Sequence, residues 1–175
     1  FKDLNQKIRV VVKERRSDSN KKLLINFNKN KIKPGLKEFK NPLIQKYVTG
    51  EEFSIDTWRD KKSKKVELVV RKRSLVEGGD SKITEIIKDS KIIRNIENQI
   101  SKFNYYYHCL FQGILSKGKF YFLECNPRIG GATVASFEFS LKTLHYFFSE
   151  IYQKRIIYKK RKFKRQYKFE TAYYK

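Results

Sequence analysis

Two apolar segments joined by a short turn constrain the fold of this chain more than any other feature. YHCLFQGIL (107–115) and KFYFLECN (119–126) flank the sequence Ser-Lys-Gly-Lys, a pattern that predicts a β-hairpin. Glu124 and Asn126 are two residues apart, so their side chains leave the same face of the strand. Folding back at the turn places Gln112 opposite Glu124 or within one residue of it. Three oxygen-bearing side chains therefore converge on one side of the predicted hairpin.

These three side chains suit a hard cation. A carboxylate is costly to bury in an apolar hairpin unless it is paired with a cation or coordinates a metal. Oxygen donors without Cys or His favour Mg²⁺, which usually combines one or two carboxylates with the phosphates of a nucleotide. The alternative from the residues alone is that Glu124 forms an ion pair with Arg128 or with a lysine. Both interpretations are open at this point.

The rest of the chain mixes strands with helices, and antiparallel hairpins are prominent, which indicates an α+β fold. Continuous apolar or alternating runs predict strands at 7–14, 41–48, 50–60 and 64–74. In the third of these strands, Phe53, Ile55 and Thr57 share one face, whereas the other face carries Glu52, Ser54, Asp56 and Trp58.

Helical spacing of apolar residues appears twice. Isoleucines in KDSKIIRNIENQISKF (88–103) predict an amphipathic helix with Ser90 as its cap. A last helix is predicted at 132–152, and the side chains that it is expected to bury are Val134, Phe137, Leu141, Leu144, Phe148 and Ile151.

The chain is strongly basic, with 41 Lys and Arg against 18 Asp and Glu, a formal net charge of +23. Such a charge fits a polyanionic partner, but codon usage that favours Lys, Asn, Ile, Phe and Tyr is the favoured explanation, because the charge is spread along the chain as well as clustered. The segment 153–169 interleaves cations with Tyr and Phe, a mixture that neutralises backbone phosphates and stacks bases. A nucleic-acid-binding module is therefore the alternative function, although nucleic-acid binding does not require the Glu124–Asn126–Arg128 set.

Cys109 and Cys125 lie in apolar runs without metal-ligand spacing, which predicts a reduced, buried pair and a cytoplasmic protein. No apolar run reaches membrane-spanning length, and no signal peptide is evident. The sequence enters a predicted strand soon after Phe1, so we expect the whole protein to be longer at its N-terminus.

The titratable residues do not suggest covalent catalysis. His108 lies in an apolar strand and His145 in an aromatic-rich helix, so both are expected to be structural. Asp56 and Asp60 are expected to be a strand residue and a turn residue. The sequence contains no pattern typical of a Ser–His–Asp or Cys–His nucleophile.

The stretch FLECNPRIGGAT (122–133) resembles the metal-binding signature of the ATP-grasp enzymes, in the branch similar to carbamoyl-phosphate synthase. Its features are Glu-x-Asn-Pro-Arg and a following Gly-Gly pair. Four further blocks in the same order extend the resemblance over roughly residues 8–140: VVVKE, PLIQKYVTGEEFSIDTW, VVRKRSLVEGGDSKIT and HCLFQ. The resemblance implies an ATP-grasp fold, with two lobes of antiparallel sheet and packed helices and a nucleotide in the cleft between them.

The resemblance also implies nucleotide-binding roles. Lys13 would contact the α- and β-phosphates, and Glu52 would accept hydrogen bonds from the ribose hydroxyls. Four consecutive residues would form the hinge that binds the adenine: Gln45, Lys46, Tyr47 and Val48. Two departures from the family pattern are Gln45, where many relatives have Glu, and the absence of glycine from the loop ERRSDSNKK (14–22).

By the same resemblance, Gln112, Glu124 and Asn126 would hold Mg²⁺, with Mn²⁺ as a substitute. Arg71 and Arg73 leave the same strand face and would point at the triphosphate or at the reacting carboxylate. A third arginine, Arg128, would stabilise the transferring phosphoryl group or the acyl phosphate.

The implied reaction is an ATP-dependent ligation. A small carboxylate substrate attacks the γ-phosphate, and an amine or a similar nucleophile then displaces phosphate from the acyl phosphate. A nucleotide-binding pseudoenzyme shares the motifs and differs only in turnover. The implied division of the chain is a partial small ATP-binding lobe at 1–48, a large lobe with the metal site at 49–152, and a basic C-terminal tail or strand at 153–175.

Overall fold

The computed structural model describes residues 9–15, 35–154 and 166–168, together with the backbone of 23–28. The chain divides into two compact units, Phe1–Thr49 and Gly50–Lys175. The elements are short helices and antiparallel sheets, which confirms the predicted α+β class. The glycine-free loop at 14–22 and the basic segment 153–169 lie largely outside the described residues.

The first unit contains a three-stranded antiparallel sheet in the order β2-β1-β3. Its strands are β1 (Arg9–Glu14), β2 (Leu23–Asn28) and β3 (Pro42–Lys46). Val10 and Val12 of β1 are buried together with Phe39 and pack against Leu36 and Ile44. Alternate residues of β1 therefore face a small core.

The second unit is built on a six-stranded antiparallel sheet in the order β8-β7-β4-β5-β6-β9. Its strands are β4 (Glu51–Arg59), β5 (Val66–Glu77), β6 (Asp80–Ile86), β7 (Tyr107–Ser116), β8 (Lys119–Asn126) and β9 (Gln166–Lys168). The predicted hairpin around Ser-Lys-Gly-Lys is confirmed, and Gly118 adopts a positive φ of 75° in its turn. The edge strand β9 comes from the basic C-terminal segment.

Both faces of β4 are covered, so the predicted alternation separates two cores. Phe53 and Ile55 belong to one cluster with helix α1 (Ser90–Ile100), where Ile96 and Ile100 are fully buried. Trp58 belongs to a second cluster on the opposite face. We call the face of the sheet that carries Phe53 and Ile55 the α1 face, and the face that carries Trp58 the site face.

The cap of α1 differs from the predicted one. Asp89 is the N-cap, and its side chain accepts hydrogen bonds from the backbone N–H groups of Lys91 and Ile92. Ser90 is instead the first residue of the helix. Asp and Ser are both good caps, so sequence preference alone does not choose between two adjacent candidates.

The prediction of one helix over 132–152 is wrong. The segment forms a 3₁₀ turn (Gly131–Thr133), α2 (Val134–Phe139) and α3 (Thr143–Tyr152). The helix breaks at Ser140, whose φ of −168° and ψ of −15° are not helical. The break buries Leu141 and leaves four residues of the predicted apolar face exposed, namely Val134, Leu144, Phe148 and Ile151.

The cysteine pair is only partly as predicted. The Sγ atoms of Cys109 and Cys125 lie 3.1 Å apart, and both residues are free thiols. Cys109 is buried, but Cys125 is exposed because it lies near the end of the edge strand β8.

A β-bulge in the hairpin determines which side chains reach the site face. Gln112 pairs with Glu124, whereas Gly113 pairs with Phe122, so Leu123 is an extra residue in β8. Phe120 and Phe122 pack in the cluster on the α1 face. If Leu123 were paired like the other residues of β8, Glu124 would lie on that apolar face as well, because strand residues alternate. The bulge therefore turns Glu124 and Asn126 to the site face.

Close packing beneath Gly113 gives the first testable prediction. A Cβ at this position would lie 2.4 Å from ring carbons of Phe120 and 2.6 Å from the carbonyl oxygen of Tyr121. We expect Gly113→Ala to lower the free energy of unfolding by about 1–3 kcal/mol, measured by urea unfolding. Gly131→Ala is the control, because a Cβ there meets no heavy atom within 4 Å. Equal stabilities of the two variants would contradict the packing.

Candidate functional site

The predicted metal-ligating residues lie together on the site face of the hairpin. Gln112 pairs directly with Glu124, and Asn126 pairs with Leu110 on the neighbouring strand. The Asn126 amide donates a hydrogen bond of 2.9 Å to the Glu124 carboxylate. The three oxygen-bearing side chains that the hairpin pattern predicted to converge are thus neighbours.

The burial of this set differs from the expectation. Glu124 is exposed, and Gln112 and Asn126 are partly exposed. The reason is that β8 is an edge strand of the described sheet, so its terminal residues are open to solvent on one side. A solvent-exposed carboxylate pays little desolvation cost, and the argument that burial forces Glu124 to bind a cation is therefore wrong.

Arg73 joins the hairpin to the start of β4. Its Nη1 donates a hydrogen bond of 2.8 Å to Gln112 Oε1 and lies 3.4 Å from Glu52 Oε2, and its Nη2 donates to the carbonyl of Gly79. The Arg73 side chain is only 6% exposed, and Nε is buried without a hydrogen-bond partner among the described residues. One cation therefore connects the residue predicted to bind the ribose with a residue predicted to bind the metal.

Arg71 is placed differently from its prediction. The residue is 1% exposed, and its guanidinium forms an ion pair with Asp56 at 2.7 Å. It also donates hydrogen bonds to the hydroxyls of Ser136 at 3.0 Å and Thr84 at 3.3 Å. Arg71 and Arg73 do share a strand face, but a buried guanidinium that is held by these three side chains does not reach a phosphate. The prediction that Arg71 contacts the triphosphate is corrected: its role here is structural.

The chain turns directly after the Asn126 strand end. The Arg128 N–H donates to the carbonyl of Asn126 at 2.8 Å, which makes a tight turn around Pro127, and Arg128 is exposed. A Cβ on Gly130 would lie 2.6 Å from Leu110 Cδ2. Glycine at this position therefore allows the close approach between the turn and β7.

The predicted residues of the first unit divide between the two faces of its sheet. Gln45 pairs with Val11, so Gln45 and Lys13 lie on the face opposite the Val10–Val12 core. Lys46 pairs with Val10 and is exposed. Tyr47 donates its N–H to the carbonyl of Arg9 at 2.9 Å, which continues the sheet beyond β3. Val48 follows this last backbone bond and is partly buried.

Asp56 was predicted to be an ordinary strand residue, but it lies at the centre of a buried hydrogen-bond network. It is fully buried, and besides Arg71 it accepts hydrogen bonds of 2.6 Å from the hydroxyls of Thr133 and Ser136. Its position on the polar face of the alternating strand, near an arginine of the next strand, is a sequence feature from which the ion pair could have been predicted. Thr133 and Ser136 are 77 and 80 residues further along the chain, and no local sequence pattern predicts that they bind Asp56.

His108 lies beside this network, as a structural histidine would. Its Nδ1 is 3.2 Å from Thr143 Oγ1, and its Nε2 is 3.9 Å from Asp56 Oδ1. Burial lowers the pKa of His108, although the Asp56 carboxylate opposes this shift. Asp60 is confirmed as a turn residue, because it accepts hydrogen bonds from the N–H groups of Lys62 and Ser63, which lower its pKa.

Solved structures with a similar fold include enzymes, two of which are complexes with a nucleotide. A biotin carboxylase–beta-gamma-ATP complex from Campylobacter jejuni matches with a TM-score of 0.68 and 17% identity, over 81% of this chain and 36% of that one. An L-amino acid ligase from Bacillus licheniformis matches with a TM-score of 0.57 and 16% identity, over 85% and 37% of the two chains. An N5-carboxyaminoimidazole synthetase from Staphylococcus aureus, complexed with ADP, matches with a TM-score of 0.58 and 14% identity, over 74% and 37%.

The predicted ATP-grasp fold is therefore confirmed. A family model described as "ATP-grasp in the biosynthetic pathway with Ter operon" matches residues 38–171, which include the whole hairpin and the turn after it. The chain belongs to this ATP-grasp family. It spans little more than a third of the length of the solved structures that it matches. Among curated proteins, none matches by sequence.

Within the described residues, no helix is long and apolar enough to cross a membrane.

Arg71 and Arg73 give a prediction that separates structure from ligand binding. We expect Arg71→Met to lower the free energy of unfolding by about 3–5 kcal/mol, because it leaves the Asp56 carboxylate buried without its cation. Arg73→Met removes the same charge two residues away, but its partner Glu52 is 35% exposed and remains hydrated, so we expect a much smaller loss. Urea unfolding of both variants measures the difference, and an equal loss would contradict the assignment of Arg71 to the fold.

The lowered pKa of His108 predicts a pH dependence of stability. The unfolded chain titrates this histidine near about pH 6.5, whereas burial keeps it neutral to lower pH in the folded protein. Its contribution is therefore present above the unfolded pKa and is lost as the pH falls toward the folded pKa. We expect the stability of His108→Asn to decline less than that of the wild type between about pH 7.5 and pH 5.5, in urea unfolding at each pH. Parallel curves would contradict a neutral, buried imidazole.

Proposed function

We propose that the chain is the ATP-binding and metal-binding part of a carboxylate–amine ligase. In this reaction the γ-phosphoryl group of ATP passes to a small carboxylate substrate, and an amine or similar nucleophile then displaces phosphate. Membership of the ATP-grasp family supports this proposal. The observation that carries it is the cluster of Arg73, Gln112, Glu124 and Asn126 on one face of the sheet, linked by hydrogen bonds of 2.8 and 2.9 Å.

The donor set fits a magnesium ion, with Mn²⁺ as a substitute. Gln112, Glu124 and Asn126 offer only oxygen ligands for a metal, and one carboxylate is the usual protein share when phosphates complete the coordination. When bound, the ion would neutralise charge on the transferring phosphoryl group. The exposure of Glu124 is compatible with this role, because an exposed carboxylate is accessible to a metal–nucleotide complex.

Of the three arginines that were predicted to act on the phosphoryl group, we assign this role to Arg73 and Arg128. Arg73 places a guanidinium that is almost fully buried beside Gln112, and a fixed cation in such a position stabilises developing negative charge with little reorganisation. Arg128 is exposed on the tight turn after Asn126, where it is free to meet an anionic substrate. Glu52, held by Arg73, is proposed to accept the ribose hydroxyls.

The nucleotide roles proposed for the first unit follow from the faces of its sheet. Lys13 and Gln45 share the face that is turned away from the Val10–Val12 core, where a cation and an amide can bind phosphate and adenine. The backbone of Lys46 and Val48, with Tyr47 packed nearby, is proposed to bind the adenine edge. We also propose a cytoplasmic location, where ATP and reduced thiols occur.

Binding of Mg·ATP to the 175-residue chain tests the proposal. A ligand that binds only the folded state raises the melting temperature in proportion to the logarithm of its concentration. We expect such a rise with millimolar Mg·ATP and its loss when EDTA is added. No rise with Mg·ATP, together with a clear rise with a single-stranded oligonucleotide, would favour the nucleic-acid-binding alternative. Binding without turnover in the presence of carboxylate and amine substrates would favour the pseudoenzyme.

Glu124→Gln tests the metal ligand. Because Glu124 is exposed, the variant should unfold at nearly the wild-type temperature without ligand, but it should lose most of the shift caused by Mg·ATP, since the anionic ligand of the metal is gone. Glu97→Gln is the matched control: Glu97 is exposed on α1, on the other face of the sheet, and its variant should keep the full shift. A full shift in Glu124→Gln would contradict the proposed metal site.

A further inference from the structure

One buried hydroxyl group, that of Thr133, connects the core ion pair to the turn that carries Asn126 and Arg128. Thr133 donates its hydroxyl proton to Asp56 Oδ1 at 2.6 Å. The same hydroxyl oxygen accepts the N–H of Gly130 at 3.0 Å. Thr133 and Asp56 are both fully buried. One side chain therefore holds a backbone amide of the turn and is itself held by a charged residue of the core.

We propose that Thr133 is a positioning residue for the metal–nucleotide site, an inference that rests on the proposed function. Its hydroxyl fixes the Gly130 amide, and Gly130 ends the short segment that begins with Asn126. Asp56 fixes the hydroxyl in turn, because a carboxylate acceptor orients the proton and leaves the oxygen lone pairs for the amide. Thr133 thereby determines where the turn, with Asn126 at one end and Arg128 within it, stands relative to β7.

The contacts around Thr133 hold Gly130 and Asp56 in a single arrangement. The Thr133 N–H donates to the Gly130 carbonyl at 3.1 Å, so Gly130 is held to Thr133 through both of its backbone groups. Leu110 packs against Gly130 so closely that a Cβ would lie 2.6 Å from it. Asp56 is held on its other oxygen by Arg71 and by Ser136. The turn is thus fastened to a network that cannot shift without breaking a buried ion pair.

Thr133→Val tests the inference, because it keeps the shape of the side chain and removes only the hydroxyl. Thr133→Ser keeps the hydroxyl and is the rescue variant. Thr57→Val is the matched control: Thr57 is also fully buried and its hydroxyl donates to the Cys109 carbonyl at 2.8 Å, but it lies on the α1 face. Thr133→Val loses the two hydrogen bonds of its hydroxyl and Thr57→Val loses the bond to Cys109, so the control shows what removal of a buried hydroxyl does outside the site.

Two measurements are made at a temperature at which all variants are folded by circular dichroism. In Mg·ATP titrations we expect Thr133→Val to bind at least about tenfold more weakly than the wild type, whereas Thr133→Ser and Thr57→Val should bind within about twofold of it; tenfold corresponds to about 1.4 kcal/mol. In amide hydrogen exchange without nucleotide, the Gly130 N–H should be protected in the wild type, Thr133→Ser and Thr57→Val, and should exchange faster in Thr133→Val.

The outcomes that overturn the inference are distinct from those that overturn the proposed function. Wild-type affinity in Thr133→Val, an equal loss in Thr57→Val, or no rescue by Thr133→Ser each shows that the hydroxyl does not position the site. Unchanged protection of the Gly130 amide in Thr133→Val shows that the hydroxyl does not hold the turn. If the wild type itself does not bind Mg·ATP, the proposed function is wrong, and the positioning role is wrong with it.

Discussion

The second unit depends on one buried ion pair. Asp56 and Arg71 are at most 1% exposed, and two charges removed from water are tolerated only when their remaining hydrogen-bonding groups are also satisfied. Thr84 from β6, Thr133 from the 3₁₀ turn and Ser136 from α2 provide those groups. The pair therefore does more than join β4 to β5. It dictates which polar side chains must face it, and it draws the segment after the Asn-Pro-Arg turn down onto the sheet.

Local patterns in the sequence were sufficient for the hairpin and for the strands predicted at 7–14, 41–48, 50–60 and 64–74, but not for β2 and β6. Period-two alternation and a glycine-containing turn act over a few residues, so these strands, and a register that brings Gln112 to within one residue of Glu124, could be predicted from them. The bulge that completes the pairing could not. The family resemblance located the candidate site, which geometry alone left open between a metal and an ion pair. The same local patterns also separated the apolar face of β4, with Phe53 and Ile55, from its polar face.

Features that depend on distant partners could not be predicted. The break at Ser140 arises because Leu141 is buried against the sheet, and helical spacing contains no information about that contact. Arg71 and Arg73 look equivalent in sequence, yet only Arg71 has Asp56 within reach. The exposure of Glu124 follows from the position of β8 at the edge of the sheet, which is set by the order of strands and not by the residues of β8 itself.

The bulge at Leu123 makes the candidate site depend on how β8 is paired as well as on the chemistry of its residues. A strand with strict alternation would send every second side chain of FYFLECN to the same face and would place the carboxylate among phenylalanines. With one residue unpaired, the same strand supplies rings to the core at its beginning and ligands to the opposite face at its end. Loss of Leu123 would leave Glu124 directly after Phe122 and still opposite Gln112, so the faces would not change, whereas a strand that paired Leu123 with Gln112 would exchange the two faces for everything that follows. The face that Glu124 and Asn126 occupy is thus set by the pairing of the strand, a constraint that no individual side chain in the strand reveals.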